Sequence, residues 1–146
     1  MPTPKSQCEE LLDAMMPFAE KMLAAHGEFY PFGASMKPNG EIAQVAAYDG
    51  REVPPSQPLI DLLREEFAAD AKAASIIASA VFYDVRTIPP GSQEKTDAVA
   101  IELDHRDNYS VVVLFPYTIE RGTVTLGEPF AHKGEFLIFG RHANGS

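Results

Sequence analysis

Two long apolar segments near the middle of the chain stand out in the pattern of hydrophobic and polar positions. In the first, residues 98–104, the apolar residues Val99, Ile101 and Leu103 alternate with smaller or acidic ones. Side chains along a strand point alternately to its two faces, so this segment predicts a strand that can keep one face wet. The second segment, residues 109–115, is apolar almost throughout, which favours a strand covered on both faces. We therefore expect the second segment near the middle of a sheet.

A first amphipathic helix is predicted close to the N-terminus, where apolar residues recur every three or four positions. Ser6 and Glu9 have the spacing of a capping box, which favours a helix start near Ser6. A start at Thr3, with Pro4 in the first helical position, is the alternative. Pro17 lies inside the apolar stripe and lacks the N–H that the helix ladder requires, so we expect a kink or a break there.

A second amphipathic helix is predicted after Ser56, whose side chain can cap its start. A loop containing prolines, residues 49–58, precedes it. Its buried face is expected to consist of the apolar residues at helical spacing: Leu59, Leu62, Leu63, Phe67 and Ala71. Its acidic residues are expected to face water: Asp61, Glu65, Glu66 and Asp70.

A hairpin between the two helices is indicated by residues 28–36 and 41–48, because Lys37-Pro38-Asn39-Gly40 between them is a strong turn sequence. Pro31 cannot donate a ladder hydrogen bond, which favours an edge strand or a bulge at that point. Gly33 offers room for a neighbouring element to approach closely. Further strands are predicted at residues 76–86 and 123–126.

The order of elements is therefore helix, two strands, helix, and three or more strands. Because two amphipathic helices can share the apolar face of an antiparallel sheet, we predict an α+β fold in a single domain, residues 1–146. The sheet is expected to be mostly antiparallel, with about five to six strands and both helices packed on one face. This order resembles the roadblock/longin and profilin-like arrangement. The peptides Glu28–Gly33 and Lys95–Ala98 also resemble small uncharacterised bacterial single-domain proteins, and neither resemblance implies an activity.

Composition narrows the classes of function. The formal net charge is −9 and the basic residues are scattered, so binding to nucleic acid is disfavoured. There is no apolar run long enough for a membrane span and no signal-peptide pattern at the N-terminus, so we expect a cytoplasmic protein with no membrane partner. Cys8 is the only cysteine, which excludes an internal disulfide and thiolate-rich metal sites. No phosphate loop, nucleophile elbow or dinucleotide fingerprint is present, and we expect no cofactor.

The densest group of chemical side chains is Asp104-His105-Arg106-Asp107-Asn108, at the predicted turn between the two central strands. His105 with Asp104 or Asp107 could bind a metal or act as a general base held by a carboxylate. On a strand, however, Asp104 and His105 point to opposite faces. The favoured interpretation is a solvated hairpin end, and Glu102 with Asp104 is likewise interpreted as a solvated pair of acids rather than as catalytic carboxylates.

Several other residues have a structural and a functional interpretation. The four histidines are dispersed without metal-site spacing, and we interpret them as separate surface residues. Cys8 at a helix start could have a lowered thiol pKa, but its place on the apolar stripe favours a packed core residue. Phe29 and Phe32 are expected in the core. Tyr30 and the acids Glu65, Glu66 and Asp70 are candidates for an interaction surface.

Three hypotheses of function remain. The leading one is a noncatalytic protein-interaction domain with an acidic surface, for example an immunity protein that neutralises a basic partner, with a homodimer through sheet or helix as another form. The second is a small metal-binding protein or hydrolase that uses the hairpin region around His105. The third is a small-molecule sensor with its ligand between the sheet and the helices.

Overall fold

The structure is a computed structural model that describes residues 2–46 and 56–140. Most of the predicted proline-containing loop lies outside the described residues, as do His142 and the chain end. In this part of the chain, neither helix combines the length and apolar character needed to cross a membrane. The helices and strands are, in chain order, α1 Pro4–His26, β1 Phe32–Met36, β2 Ile42–Ala46, α2 Ser56–Lys72, β3 Ala78–Thr87, β4 Thr96–His105, β5 Tyr109–Glu120, β6 Thr123–Leu126 and β7 Phe130–Lys133.

Helix α1 starts at the earlier of the two predicted positions. Thr3 is its N-cap and Pro4 its first residue, and the side chains of Thr3 and Ser6 each accept a hydrogen bond from the other's backbone N–H. The predicted pairing of Ser6 with Glu9 was therefore wrong. The predicted break at Pro17 is also absent, because α1 continues through this exposed residue as one α-helix to His26.

The predicted α+β class and the antiparallel sheet are confirmed, and within residues 2–46 and 56–140 the sheet has seven strands rather than five or six. The strand order is β2-β1-β3-β4-β5-β6. Strand β7 also pairs with β5, at residues 111–114, whereas β6 pairs with residues 117–120. Since β2 and β3 both run antiparallel to β1, the connection through α2 crosses over β1. The edge strand predicted from Pro31 was wrong: β1 lies inside the sheet, because Pro31 precedes the strand and no ladder N–H is required of it.

The two helices lie on opposite faces of the sheet, so the prediction that both pack on one face was wrong. Along β3, Ala78, Ala80 and Phe82 belong to the core formed with α1. The intervening Val81 packs with Phe67 of α2, in a second core on the other side. We call these the α1 face and the α2 face. The hydrophobic pattern did not predict helices on both faces of the sheet, because both faces of β3 carry small or apolar residues and neither is marked as exposed.

The central strand is β4 rather than the continuous apolar segment of β5. Residues 98–105 of β4 are all buried, whereas residues 109–113 of β5 are only half-buried. The alternation in β4 correctly predicted which side chains share a face, because Val99, Ile101 and Leu103 all pack on the α1 face. It did not show that the opposite face is also covered.

Helix α2 packs closely against the sheet at Gly33, as the sequence suggested. A Cβ atom placed on Gly33 would lie 2.7 Å from the ring of Phe67 and 3.0 Å from the carbonyl oxygen of Ala80. Phe67 is completely buried, so its ring cannot swing into solvent to make room. Glycine at this position thus allows α2 to seat on β1 and β3.

We predict that Gly33→Ala lowers the free energy of unfolding by about 1–3 kcal/mol, the usual cost of overpacking a core. Urea denaturation measures this change. In the double variant with Phe67→Leu, the loss should be smaller than the sum of the two single losses, because the shortened side chain leaves room for the new methyl group.

The matched control is Gly127→Ala, because the nearest atom to a Cβ there is 3.4 Å away, at ordinary contact distance. This variant should remain close to wild type in stability. Equal losses for Gly33→Ala and Gly127→Ala, or additive losses in the double variant, would contradict the proposed contact between Gly33 and Phe67.

Candidate functional site

A cavity of about 330 Å³ lies on the α2 face, over β4 and β5. Its floor consists of alternate residues of these strands, among them Ala100, Glu102, Asp104, Val112 and Leu114. Side chains of α2 and β3 form one wall, and the segment at residues 132–137 forms the other. The cavity thus combines an apolar floor with two acidic side chains that the sequence analysis had placed in water.

Glu102 is buried and held by two partners, which corrects its interpretation as a solvated acid. Arg64 of α2 donates two hydrogen bonds to its carboxylate, one from each of two guanidinium nitrogens. The Tyr83 hydroxyl donates a third at 2.8 Å. The hydrogen bond to Glu102 raises the pKa of Arg64. The pKa of Tyr83 is also raised, by burial and by the neighbouring carboxylate. A buried carboxylate needs such partners, because removing a charge from water without them is costly.

Asp104 is also buried, with 5% of its surface exposed, but it has fewer hydrogen-bond and ion-pair partners than Glu102. It shares a hydrogen bond with Ser110, and within residues 2–46 and 56–140 no cationic side chain forms an ion pair with it. Burial raises its pKa from 3.8 to about 6, and the nearby Glu102 charge contributes in the same direction. The Ser110 hydrogen bond and the more distant charge of Arg64 act in the opposite direction, but neither gives Asp104 the direct ion pair that Glu102 has.

Asp104 belongs to a row of polar residues that crosses four strands on the α2 face. The register pairs Ser35 with Ser79, Ser79 with Asp104, and Asp104 with Ser110. Ser79 is completely buried, and its hydroxyl has no hydrogen-bond partner in the part of the chain that the structure describes. An unsatisfied buried hydroxyl costs about 1–3 kcal/mol, so this row is not arranged for stability alone.

The wall at residues 132–137 is anchored on Ser110. The N–H of Gly134 donates to the Ser110 carbonyl oxygen at 3.1 Å, and the N–H of Phe136 donates to its hydroxyl at 3.3 Å. A Cβ atom on Gly134 would fall 2.0 Å from that hydroxyl, so the close approach requires glycine. Ser110 therefore connects the cavity wall with the Asp104 carboxylate.

The structure separates His105 from Asp104, as strand alternation predicted. His105 is buried on the α1 face, where Nε2 lies 2.7 Å from Oε1 of Gln7 and Nδ1 accepts a hydrogen bond from the backbone N–H of Asp107. This arrangement fits a neutral imidazole that donates from Nε2. Burial lowers the pKa of His105 in agreement with this state. The turn itself, residues 106–108, is exposed as expected, but the histidine is a buried structural residue rather than a surface group.

The other candidates lie apart from the cavity floor. Glu65 and Glu66 are exposed on α2, and Asp70 is partly exposed near its end. Tyr30 is 50% exposed but lies beside residues of α1, so the structure does not bring it together with the α2 acids. Phe29 and Phe32 are buried, as predicted.

Cys8 is buried in the core under α1 rather than activated by the helix start. Burial raises its pKa to about 12, with smaller contributions from Asp104 and Glu9. No group of three histidine, cysteine, aspartate or glutamate side chains within residues 2–46 and 56–140 could hold a metal ion. In the described region, His26 and His132 are exposed and separate.

Sequence reasoning missed Arg64, Tyr83 and Ser110. Arg64 had the appearance of an ordinary surface cation on a helix, and Tyr83 that of a strand aromatic. The signal that could have found them was the pair of acids at Glu102 and Asp104 within an otherwise apolar strand. Such acids require partners wherever the second face of the strand is covered.

Comparisons of the chain with protein-family models, with curated proteins and with solved structures find no match. The resemblance in element order to roadblock/longin domains therefore stays a prediction. What this protein binds has to follow from the chemistry of its own side chains.

We predict that Asp104→Asn removes a pH dependence of stability. The folded-state pKa of Asp104 is raised, so between about pH 4 and pH 6 the folded state binds more protons than the unfolded state, and stability falls as the pH rises. A rise from 3.8 to about 6 corresponds to roughly 3 kcal/mol at most. Relative to wild type, the variant should therefore gain stability as the pH is raised from about 4 to about 7.

Urea denaturation of both proteins at the two pH values gives this difference, and contributions from His105 cancel in the comparison. Asp13→Asn, at an exposed acid of α1, is the control and should leave the pH dependence unchanged. If the difference between wild type and Asp104→Asn were the same at both pH values, Asp104 would not be a buried titrating group.

Proposed function

We propose that this protein is a noncatalytic small-molecule-binding domain of the sensor type, with its ligand in the cavity on the α2 face. The observation that carries the proposal is that two buried carboxylates, Glu102 and Asp104, line a cavity large enough for a small metabolite. Ligand sites are typically concave and mostly apolar with a few convergent polar groups, and cavities of about 300–1,000 Å³ are usual. Perturbed ionisable groups in a cleft are a further mark of such sites.

The hydrogen bonds that Glu102 and His105 already make favour binding over catalysis. Glu102 accepts hydrogen bonds from both Arg64 and Tyr83, so it is held in place and is poorly disposed to transfer a proton. His105, the best general base in the sequence, is buried on the opposite face with both ring nitrogens engaged. Among the residues of the cavity floor, Asp104 is the acidic group with capacity for a new partner, whereas Glu135 lies on the exposed wall.

A ligand in this cavity would touch three separate parts of the fold. Arg64 belongs to α2, Glu102 and Asp104 to the central strand β4, and His132 to the short strand β7 at the start of the opposite wall. A molecule that bridges these elements stabilises their relative positions, because it binds only when all three are in place. Such coupling would allow ligand binding to be communicated to the surface of α2.

We predict that a small polar ligand raises the melting temperature of wild type and that Val112→Phe abolishes this rise. Val112 is half-buried on the cavity floor, so the larger ring fills space that the ligand needs. A ligand at a hundredfold excess over its Kd adds about 2.7 kcal/mol. For a protein of this size the melting temperature should then rise by roughly 5–10 °C. Thermal denaturation against a panel of amines, amino acids, carboxylates, sugars and nucleosides measures the effect.

Val124→Phe is the matched control, since Val124 is half-buried in β6 and does not line the cavity. It should respond to the ligand as wild type does. A panel in which no compound raises the melting temperature, or a rise that Val112→Phe retains, would contradict the proposed site.

The second candidate is the protein-interaction domain expected from the sequence, with the outer face of α2 as its surface. Leu62 is 38% exposed there and lies among the exposed acids Asp61, Glu65 and Glu66. An exposed apolar residue surrounded by acids suits a basic partner, for which opposite charge speeds association. The net charge of −9 supports such a partner.

We predict that a partner bound at this surface is lost in the variant Glu65→Lys/Glu66→Lys, because the charge change places cations opposite a basic surface. The measurement is an affinity pull-down from native lysate with quantitative mass spectrometry, at low and at high salt. Glu9→Lys/Glu10→Lys makes the same charge change on exposed residues of α1 and should retain the partner. Equal capture by both variants would show that α2 is not the interface.

A further inference from the structure

We propose that the ligand of the cavity on the α2 face is a small organic cation, a primary amine with an apolar body, whose ammonium group binds the carboxylate of Asp104. This inference rests on the proposed function and specifies the chemical class of the ligand. It follows from the charges of the cavity, from the shape of its floor and from the groups that are already engaged.

Two neighbouring acids on the cavity floor differ in the partners that surround them. Glu102 and Asp104 lie two residues apart on the same face of β4, and both are buried. Arg64 gives Glu102 a bidentate partner, whereas Asp104 has a hydrogen bond with Ser110 and no ion pair in the described residues. Because Arg64 is paired with Glu102, its charge acts on the carboxylate of Asp104 without a direct ion pair, and a ligand can supply that direct partner.

The floor beside Asp104 suits the apolar part of such a molecule. Val112 and Leu114 of β5 and Ala100 of β4 line the same cavity, and Leu137 on the opposite wall is 50% exposed. Since a strand rises about 3.3 Å per residue, an alkyl chain of about four carbons with its ammonium at Asp104 reaches Val112, and a longer chain extends toward Ala100 and Leu114. Each buried methylene contributes about 0.8 kcal/mol. The volume of about 330 Å³ fits a molecule of this size but not a long peptide.

Other classes of ligand fit less well. An anion would meet Glu102 and Asp104 on the floor. Of the cationic side chains in the lining, Arg64 is already paired with Glu102, and Lys133 lies at the exposed wall in β7 rather than on the floor. A divalent metal requires several convergent ligands, and no group of three histidine, cysteine, aspartate or glutamate side chains in the described part of the chain could hold one. An ammonium requires less, because it can be bound by one carboxylate and neighbouring hydrogen-bond acceptors such as the Ser110 hydroxyl.

The experiment compares three probes of equal length that differ in charge: n-butylamine, 1-butanol and butyrate. Isothermal titration calorimetry and thermal denaturation are carried out on the full chain near neutral pH. We expect n-butylamine to bind and to raise the melting temperature, and the alcohol and the carboxylate to bind at least about tenfold more weakly. Longer primary amines should bind more tightly until the chain fills the cavity.

Two variants locate the amine. Asp104→Asn keeps the shape of the side chain and should weaken amine binding by about tenfold or more, since the charge is lost. Asp107→Asn removes an equal charge from the exposed turn and should leave amine binding as in wild type. Circular dichroism and the melting temperature without ligand verify that both variants are folded.

The outcomes separate this inference from the proposed function. Tighter binding of 1-butanol or butyrate than of n-butylamine, removed by Val112→Phe, would overturn the assignment of the ligand class and leave the binding function intact. Amine binding that survives Asp104→Asn would overturn the role of Asp104. If no probe binds and the broader panel also fails to stabilise the protein, both the ligand class and the proposed function are wrong.

Discussion

Strand β4 is buried on both faces, and much of the structure follows from this constraint. A strand presents its side chains alternately to its two sides, so covering both sides leaves an acidic residue on either face with little contact with water. The apolar residues Val99, Ile101 and Leu103 meet α1, which places Glu102 and Asp104 under the elements of the opposite face. Once these acids are inside, the polar partners around them are required rather than optional.

The pair of Arg64 with Glu102 links α2 to the sheet. Such a buried pair contributes little net stability compared with well-packed apolar residues, because both charges have to be removed from water. The pair instead positions α2, since the bidentate contact and the Tyr83 hydroxyl fix where this helix lies relative to β4. Phe67 on Gly33 provides the complementary apolar contact at β1.

The cavity results from incomplete coverage of the α2 face. Helix α2 packs on β1 and β3, and the segment after β7 folds back toward it, with Ile138 joining the core of α2. Between them, the surface of β4 and β5 is left partly open, and Asp104 lies in that gap. A protein selected only for stability would place an apolar residue there. A buried acid without a counterion is the kind of local cost that accompanies a binding site.

Local patterns in the sequence were sufficient for the fold class, for both helices and for most strand positions. The turns at residues 37–40 and 106–108, the α1 stripe and the alternation in β4 depend on neighbouring residues, and the predictions based on them were close to the structure. The separation of Asp104 from His105 followed from the same alternation.

Only the tertiary structure decided which surfaces are buried. Alternation at β4 specifies two faces, but whether the acidic face meets water depends on α2, which is nearly forty positions earlier in the chain. The pairing of Arg64 with Glu102, the burial of His105 against Gln7 and the contact of Gly134 with Ser110 are likewise made between distant segments. Local sequence determines the direction of a side chain, whereas its environment is set by whichever distant element packs over it, and the candidate site consists of such contacts.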